Sequence, residues 1–438
     1  MTAADTPETV EQAQGWRYYL QERILVLFFL GFSAGLPFPL VYATLTAWLS
    51  EAGLQKSTIS TFAWLGFAYA FKFLWSPLVD HLSLPVLTNW LGRRRAWLLL
   101  AQVSIAVSLV VLSDIDPALA TGAFALVAVA VAFSSATQDL ALDAYRIECA
   151  GKELQAPLAA SYQYGYRVSM IIGGAGALYI AQYGSWSLAY KCMAACMLIG
   201  LATTLWCKEP PLPEAARVST RIFEQGFVSW LLDSVIGPFL DFFRRYGRFA
   251  LTMLAFIAVF RISDYVLGIL ANPFYLDIGF TKAQIASVAK LYGLWVALFG
   301  IGAGGWAVIK VGQSKSLIAA AILIATTNLF FAGLAYTGPD LWALAVTISF
   351  DNFAQGFAGT VFIAYLSSLT NISFTATQYA LFSSLSVFFG KLVAGYSGEV
   401  QESIGWVGFF VYAAAIGIPS IVLSIVVVRN TPVEKRVE

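Results

Sequence analysis

Long apolar runs constrain the fold of this chain more than any other feature. Stretches of about 20 residues with almost no charge recur from end to end, and each is long enough to cross a hydrocarbon layer of about 30 Å as a helix. Charged residues make up only 12% of the 438 residues, about half of the roughly 25% typical of soluble domains. Because a bilayer offers no water to unpaired backbone groups, such runs must form helices. The sequence therefore predicts an all-α, polytopic membrane protein.

Twelve spans are predicted, and the widest gap between them divides them six and six. That gap begins with the proline-rich EPPLPEAARVST and continues as an amphipathic pattern, which predicts a linker containing a surface helix. The expected domains are a tail at 1–23, a six-helix bundle at 24–207, a linker at 208–248, a second six-helix bundle at 249–428 and a tail at 429–438. The predicted spans are 24–49, 59–79, 96–112, 118–142, 157–182, 187–207, 249–271, 283–308, 315–336, 341–366, 375–398 and 406–428.

Lysine and arginine are distributed unequally between the two sets of loops. The tails and the loops after even-numbered spans hold most of them, including the run Arg93 to Arg95 and six residues between Lys208 and Arg248. The opposite loops hold only Lys56 and Lys282. Loops rich in lysine and arginine remain in the cytoplasm, so both termini are predicted to be cytoplasmic.

The two groups of six spans also contain a sequence repeat. WLSEAGLQKSTI, which begins at Trp48, resembles FYLDIGFTKAQI, which begins at Phe274, at an offset of 226 residues. Each segment lies in the short turn that joins the first two spans of its group. Parallel six-span repeats place a substrate site between the halves, near the middle of the membrane.

Charged residues lie inside several predicted spans, where each costs about 2.5–3.5 kcal/mol on insertion scales and therefore normally faces a bundle interior or a wet cavity. For each, the alternative interpretation is a structural ion pair or a side chain that reaches the interface. The basic residues are Lys72, Arg167, Lys191, Arg261, Lys290 and Lys391, and the acids are Asp139, Asp143, Asp264 and Asp351.

Asp139 and Asp143 share one helical face in the segment SSATQDLALDAYR. Asp143 is three residues from Arg146 and can pair with it, whereas Asp139 has no local cation and needs a partner from another helix or a proton. Arg261 and Asp264 lie three residues apart in the seventh span. They can likewise neutralise each other, or they can take part in the coupling mechanism of a transporter. The single histidine, His81, lies in a loop, so a proton carrier within the membrane must be a carboxylate.

The motifs of this chain resemble those of the AmpG family of muropeptide permeases, within the major facilitator superfamily. The resemblance is carried by GFSAGLPFPL, FKFLWSPLVD with GRRRAWLLL, SSATQDLALDAYR, GYRVSM, SDYVLG with PFYLDIGFTKAQI, and FTATQYALFSSLS, and it extends through nearly all twelve spans. One departure follows ALFSSLSVFF, where the family often has an arginine and this chain has Gly390 and Lys391.

The resemblance implies a twelve-span facilitator of the bacterial inner membrane that imports N-acetylglucosaminyl-anhydro-N-acetylmuramyl peptides with protons for cell-wall recycling. In some bacteria this supply also controls β-lactamase induction. By motif, it carries over Gln138, Asp139, Asp143, Arg167, Lys72, Asp264 and Lys290 as functional residues. Aromatic and amide side chains near these charges add sugar-binding candidates.

We therefore expect a proton-coupled monomeric transporter with a small-molecule substrate, embedded in lipid, without nucleic acid, metal or cofactor. The alternative is a facilitator for another anionic solute, either a siderophore or an acyl-CoA. An enzyme is not expected, because no metal-binding or nucleophile motif is visible and the two halves match. The groups assigned to the proton are Asp139, Asp143 and Asp264, and those assigned to the substrate are Lys72, Gln138, Arg167, Arg261, Lys290, Tyr69, Gln163, Asn352 and Gln378.

Overall fold

The computed structural model describes residues 21–54, 58, 61–151, 154–211, 227–281 and 284–430. Lys56, Lys282, most of both tails and residues 212–226 of the linker lie outside these ranges. Within them, the regular secondary structure is helical and falls at all twelve predicted spans. We call spans one to six the first half and spans seven to twelve the second half.

Several spans of the first half are built from more than one helical segment. The first span breaks before Pro37 and again at Tyr42, and the second is a series of short turns. The segments are Glu22–Gly35, Pro37–Val41 and Ala43–Glu51 (first span); Phe62–Leu65, Gly66–Ala70, Lys72–Leu74 and Ser76–His81 (second); Leu87–Leu91 in the following loop; Arg93–Ser113 (third); Thr121–Glu148 (fourth); Gln155–Ile171, the π-helical Ile172–Gly176 and Ala177–Tyr183 (fifth); and Trp186–Trp206 (sixth).

The second half follows the linker helix Phe227–Tyr246, which contains Pro238. The twelfth span is kinked at Gly405 and broken again before Ile418. The segments are Phe249–Val259 and Ile262–Asp277 (seventh span); the π-helical Ile285–Tyr292 and Gly293–Lys310 (eighth); Gln313–Thr337 (ninth); Leu341–Leu369 (tenth); the short 3-10 turn Ile372–Phe374; Thr375–Ala394 (eleventh); and Ser397–Ala415 and Ile418–Asn430 (twelfth).

Among the described residues, eight of the twelve spans are helices long and apolar enough to cross a membrane by length and composition alone. The other four are the second, fifth, tenth and eleventh, and they form much of the contact between the halves: the second packs on the eleventh, and the fifth packs on the eighth and tenth. Helices covered by protein instead of lipid can carry polar groups and breaks. The breaks and polar residues of these spans are thus compatible with their place at the interface.

The two turns predicted to be repeats share a backbone conformation. The helix before each turn ends at Glu51 in the first half and at Asp277 in the second. Gly53 has φ +80° and Gly279 has φ +103°, a left-handed conformation that glycine adopts without steric cost. The sequence repeat is therefore also a structural repeat.

Glycine also permits close helix packing in each half. A Cβ at Gly31 would collide with the Tyr162 carbonyl of the fifth span, and one at Gly300 would collide with the Phe353 carbonyl of the tenth. Small residues let membrane helices approach until their backbones touch. This packing fixes the fifth and tenth spans, which carry several of the predicted site residues.

Candidate functional site

A buried ionic network lies at the end of the bundle where Arg93, Arg94 and Arg95 begin the third span, which we call the basic end. Arg94 is only 1% exposed, and its Nη2 lies 2.8 Å from Asp80 Oδ1 and 2.5 Å from Glu148 Oε1. Arg93 reaches the same Glu148 carboxylate at 3.3 Å. All of these groups belong to the first half, which therefore presents two carboxylates, Asp80 and Glu148, at the basic end.

That surface receives the start of the eleventh span from the second half. Asp80 accepts hydrogen bonds from the backbone N–H groups of Ala376 at 3.0 Å and Thr377 at 2.8 Å, and from the Thr377 hydroxyl at 2.7 Å. The Thr375 hydroxyl donates to Glu148 at 2.7 Å. A helix N-terminus carries unpaired N–H donors and a partial positive charge, so it favours a carboxylate. These contacts hold the halves together at the basic end.

Glu209, just after the sixth span, fixes the third span in the same region. Its carboxylate accepts the backbone N–H of Arg94 at 2.7 Å and of Arg95 at 3.0 Å. Burial raises the pKa of the Glu209 carboxyl above its ordinary value, although these donors act in the opposite direction. The network therefore contains one acid that is both a helix cap and partly desolvated.

A second ionic group lies deeper in the bundle, around the fourth span. Asp143 Oδ2 is 3.7 Å from Lys72 Nζ, and Asp143 Oδ1 is 3.3 Å from Arg146 Nη2. Arg146 also donates to the Ser367 hydroxyl at 2.8 Å and lies 5.1 Å from the centre of the Tyr379 ring, both in the second half. Asp143 thus has two cationic partners, and Arg146 is a second bridge between the halves.

Asp139 has a different environment, although it is one helical turn away. Its Oδ1 is buried without a hydrogen-bond partner among the described residues, and no described cation lies within salt-bridge distance. It interacts electrostatically with Tyr69, Tyr162 and Tyr166, and with Lys72, which lies beyond salt-bridge distance. The predicted difference between the two acids, with Asp143 paired locally and Asp139 not, is thereby confirmed.

Two arginines from opposite halves face each other near the middle of the bundle. Arg261 binds Asp264 Oδ2 through Nε and Nη2, each at 3.1 Å, as the three-residue spacing predicts. Arg167, from the fifth span, interacts repulsively with Arg261 and forms no hydrogen bond or ion pair within the described residues. A structural lock between Arg167 and Asp139 is therefore absent from this conformation. Of the two arginines, Arg167 is therefore the one without a carboxylate partner among the described residues.

Asp351 of the tenth span completes this central group. It is 6% exposed, its Oδ2 accepts a hydrogen bond from the Gln355 amide at 2.9 Å, and it interacts electrostatically with Asp264 and Arg261. No cation within the described ranges comes within salt-bridge distance of it. Asp351 was recognised in the sequence as a charged span residue but received no role there.

The other predicted substrate residues have varied environments. Gln163 donates to the Thr360 hydroxyl across the two halves at 2.6 Å, and Lys290 is exposed without a partner in the described part of the chain. Asn352 donates to the Ile348 carbonyl of its own helix at 3.2 Å. Tyr69 is half-buried and belongs to an aromatic cluster with Phe38, Tyr42 and Tyr166, whose ring centres lie 4.7–6.5 Å apart.

Two further predicted substrate residues are fully buried and contact neighbouring helices. Gln138 is fully buried, and its Oε1 lies 3.5 Å from the Ser33 hydroxyl of the first span. Gln378 lies at the basic end, where its amide binds the linker helix through the Pro238 carbonyl at 2.9 Å, Asp241 at 2.8 Å and Arg245 at 2.9 Å. These bonds occupy Gln378, so in this conformation it serves the packing of the linker helix.

The departure at Gly390 has a structural reason. A Cβ at this position would collide with the ring of Tyr265 in the seventh span, so no side chain larger than hydrogen fits there. Lys391, the next residue, is exposed. The positive charge that the family often has after this motif is therefore not restored at Gly390 in this chain.

Sequence reasoning missed the residues that join the halves, above all Asp80, Ser367 and Thr360. Asp80 lies at the end of the second span, and the GRRR segment follows after a short loop. An acid this close to three arginines in the sequence could have indicated the ionic network. Nothing in the sequence indicates that Ser367 and Thr360 receive donors from the first half, because their partners are about 200 residues away.

Comparisons with known proteins agree with this architecture. The acetyl-coenzyme A transporter 1 family matches residues 23–166. The putative transporter AmpG 4 of Rickettsia felis is 36% identical over 401 residues, covering 91% of this chain and 95% of that protein. The anhydromuropeptide permease of Escherichia coli K12 is 31% identical over 420 residues, covering 94% and 81%.

Solved structures with the same fold are transporters of the major facilitator superfamily. FucP in the outward conformation has a TM-score of 0.68 at 14% identity and covers 94% of this chain and 98% of its own. The proton:xylose symporter XylE has a TM-score of 0.66 at 14% identity and covers 94% of each chain. At this identity the likeness concerns the fold, and it confirms the predicted two-repeat facilitator architecture.

Proposed function

This chain belongs to the AmpG family of major facilitator transporters, and on that basis we propose that it imports anhydro-muropeptides with protons. The observation that carries the proposal is Arg167, which lies between the halves without a carboxylate partner while its neighbour Arg261 is bound to Asp264. An arginine left unneutralised inside a membrane protein is costly. A carboxylate of the muropeptide would supply the missing partner.

The aromatic cluster of Phe38, Tyr42, Tyr69 and Tyr166 supports a sugar-containing substrate. These rings are half-buried on the first, second and fifth spans, and Tyr166 adjoins Arg167 in sequence. Aromatic faces bind the apolar faces of sugars, while polar groups at the rim fix orientation. An amino-sugar at the rings and a carboxylate at Arg167 would match the two chemistries of an anhydro-muropeptide.

The direction of transport follows from the distribution of lysine and arginine. If the basic end is cytoplasmic, as the positive-inside rule indicates, the Asp80 and Glu148 contacts with the eleventh span close the cytoplasmic side. Both termini would then be cytoplasmic. We further propose that the protein is a monomer of the inner membrane. Import would require these contacts to break once substrate has entered from the periplasm.

Asp139 is the proton site that we assign to the first half. It shares a helical face with Asp143, but Asp143 is neutralised by Lys72 and Arg146. Asp139 lacks such a partner, so its protonation can depend on how the halves are arranged. Asp264 is bound to Arg261 and would change its charge state only after losing that arginine.

A carrier of acyl-CoA is the second candidate, favoured by the match of residues 23–166 to the acetyl-coenzyme A transporter 1 family. Several phosphates would need several free cations. Arg93, Arg94 and Arg146 are bound to carboxylates of the chain, and Arg261 is bound to Asp264. The limited number of free cations favours the muropeptide.

Uptake by proteoliposomes tests the proposal directly. Labelled anhydro-muropeptide should accumulate when the outside is acidic and should not accumulate without a proton gradient. An excess of unlabelled acetyl-CoA should leave this uptake unchanged. Gradient-independent equilibration would contradict proton coupling, and uptake of acetyl-CoA instead of muropeptide would establish the second candidate.

A further inference from the structure

The charges in the middle of the bundle form an electrically balanced set. Arg261 and Asp264 of the seventh span bind each other. Arg167, which belongs to the first half, interacts with Arg261. Asp351, which belongs to the tenth span, interacts with both Arg261 and Asp264. Two guanidinium groups thus stand against two carboxylates. The set is neutral when all four groups are ionised and nothing is bound.

A substrate carboxylate disturbs this balance. Bound at Arg167, it would bring the set to a net charge of minus one within the membrane-spanning part of the protein, where an excess charge is unfavourable. One proton taken up by a carboxylate of the set restores neutrality. The set is therefore balanced when it is empty or when it holds both an anion and a proton, and unbalanced when it holds only one of them.

The two carboxylates differ in their ability to accept that proton. Asp264 Oδ2 receives two N–H donors from Arg261, each at 3.1 Å, and such a charge-assisted pair stabilises the negative charge of the carboxylate. Asp351 receives only the neutral Gln355 amide at 2.9 Å and is 6% exposed. The other titratable group that acts on it is Tyr275 of the seventh span, which is uncharged as a phenol. Asp351 is thus the less stabilised carboxylate.

We propose that Asp351 is a second protonation site, in the second half, which takes up one proton when a substrate carboxylate binds Arg167. This inference rests on the proposed function, since it assumes an anionic substrate at Arg167. In this step a hydronium ion gives its proton to the Asp351 carboxylate: one O–H bond of hydronium breaks, one O–H bond forms on Asp351, and a water molecule is released. Coupling then arises from the shared charge balance of residues contributed by both halves.

Proton uptake on ligand binding is the direct measurement. Calorimetry of anhydro-muropeptide binding to the purified full-length protein, in buffers with different ionisation enthalpies, gives the number of protons taken up per ligand. Asp351→Asn should lower that number by about one relative to wild type at the same pH. Asp277→Asn, which changes an exposed acid at the end of the seventh span, should leave it unchanged. Equal proton uptake by Asp351→Asn and wild type would overturn the proposal.

A second variant keeps the test decisive if Asp351→Asn does not fold. Gln355→Met leaves the carboxylate but removes its amide donor, which stabilises the ionised form. The pH at which proton uptake is half-maximal should therefore rise. An unchanged pH profile in folded Gln355→Met protein would contradict the role of Asp351.

Failure of the proposed function gives a distinguishable result. If wild type does not bind anhydro-muropeptide, that function is refuted, and infrared difference spectroscopy of the ligand-free protein still tests Asp351. Acidification that stays above the ordinary pKa of an exposed aspartate, about 3.9, should produce the carbonyl band of a protonated carboxylic acid, and Asp351→Asn should lack part of it while Asp277→Asn retains it. An identical band in Asp351→Asn and wild type would rule out Asp351 as a protonation site.

Discussion

Asp80→Asn should open the basic end of the bundle. Asp80 is 1% exposed and accepts three hydrogen bonds from the start of the eleventh span, two from backbone N–H groups and one from the Thr377 hydroxyl. Asparagine has nearly the same shape but no charge, and its amide turns one acceptor into a donor. The interactions across the halves are therefore weakened, while Arg94 remains bound to Glu148.

The size of the effect follows from those three bonds. A hydrogen bond to a charged group contributes about 1.5–3 kcal/mol and a neutral one about 0.5–1.5 kcal/mol, so each bond loses about 1 kcal/mol. A total of about 3 kcal/mol changes the ratio of closed to open states about 100-fold. The loss affects this ratio because the bonds exist only when the basic end is closed.

Thiol labelling measures that ratio. Ser367 lies in the closed region, is 4% exposed and accepts from Arg146. A single Ser367→Cys, in a chain whose four native cysteines are replaced by serine, should react slowly with a water-soluble maleimide. Asp80→Asn should accelerate the reaction up to about 100-fold, because labelling follows the open population, and Asp277→Asn should not. A rate within about twofold of the parent in folded Asp80→Asn protein would refute this account of the network.

Three further predictions concern single side chains. Arg167→Lys should bind anhydro-muropeptide about tenfold more weakly without loss of folded protein, because lysine lacks the planar fork that matches a carboxylate; unchanged affinity in a binding titration would count against the assigned role. Asp139→Asn should bind and exchange substrate across vesicles but fail to accumulate it, and accumulation equal to wild type would remove Asp139 as a carrier. Burial raises the pKa of Glu209, so its charge destabilises the fold as the pH rises through that pKa; thermal unfolding of Glu209→Gln should lack this loss, and a pH dependence identical to wild type would contradict it.

Much of the fold could be predicted because the bilayer allows few alternatives. Helical spans follow from hydropathy, and the pairing of Arg261 with Asp264 follows from a spacing of three residues on one helix face. The interruptions of the second span could not be predicted, because short turns depend on how that span packs against the eleventh. The fourth span also extends beyond its predicted end to Glu148, because Arg146 and Asp143 neutralise each other within it.

The site was harder to predict because its decisive contacts join distant parts of the chain. Gln378 was chosen for its amide and its place in a family-like motif, but its partners lie on the linker helix, whose position the sequence does not specify. Asp139 and Asp143 have the same side chain and differ only in how far each lies from Lys72 and Arg146. A residue type shows what a group can do, whereas its partners determine which of those actions remain available.

The distribution of partners separates groups that hold a conformation from groups that bind cargo. Asp80, Glu148 and Arg146 have partners in the opposite half at or near the basic end, so each favours the closed arrangement. Arg167, Asp139 and Asp351 have no oppositely charged partner within salt-bridge distance among the described residues, although each lies in a span. Leaving such groups unpaired costs stability. If stability were the only requirement, these groups would be paired or replaced by apolar residues. Because an anion and protons can neutralise them, the same groups connect binding of cargo to the free-energy difference between the two arrangements of the halves.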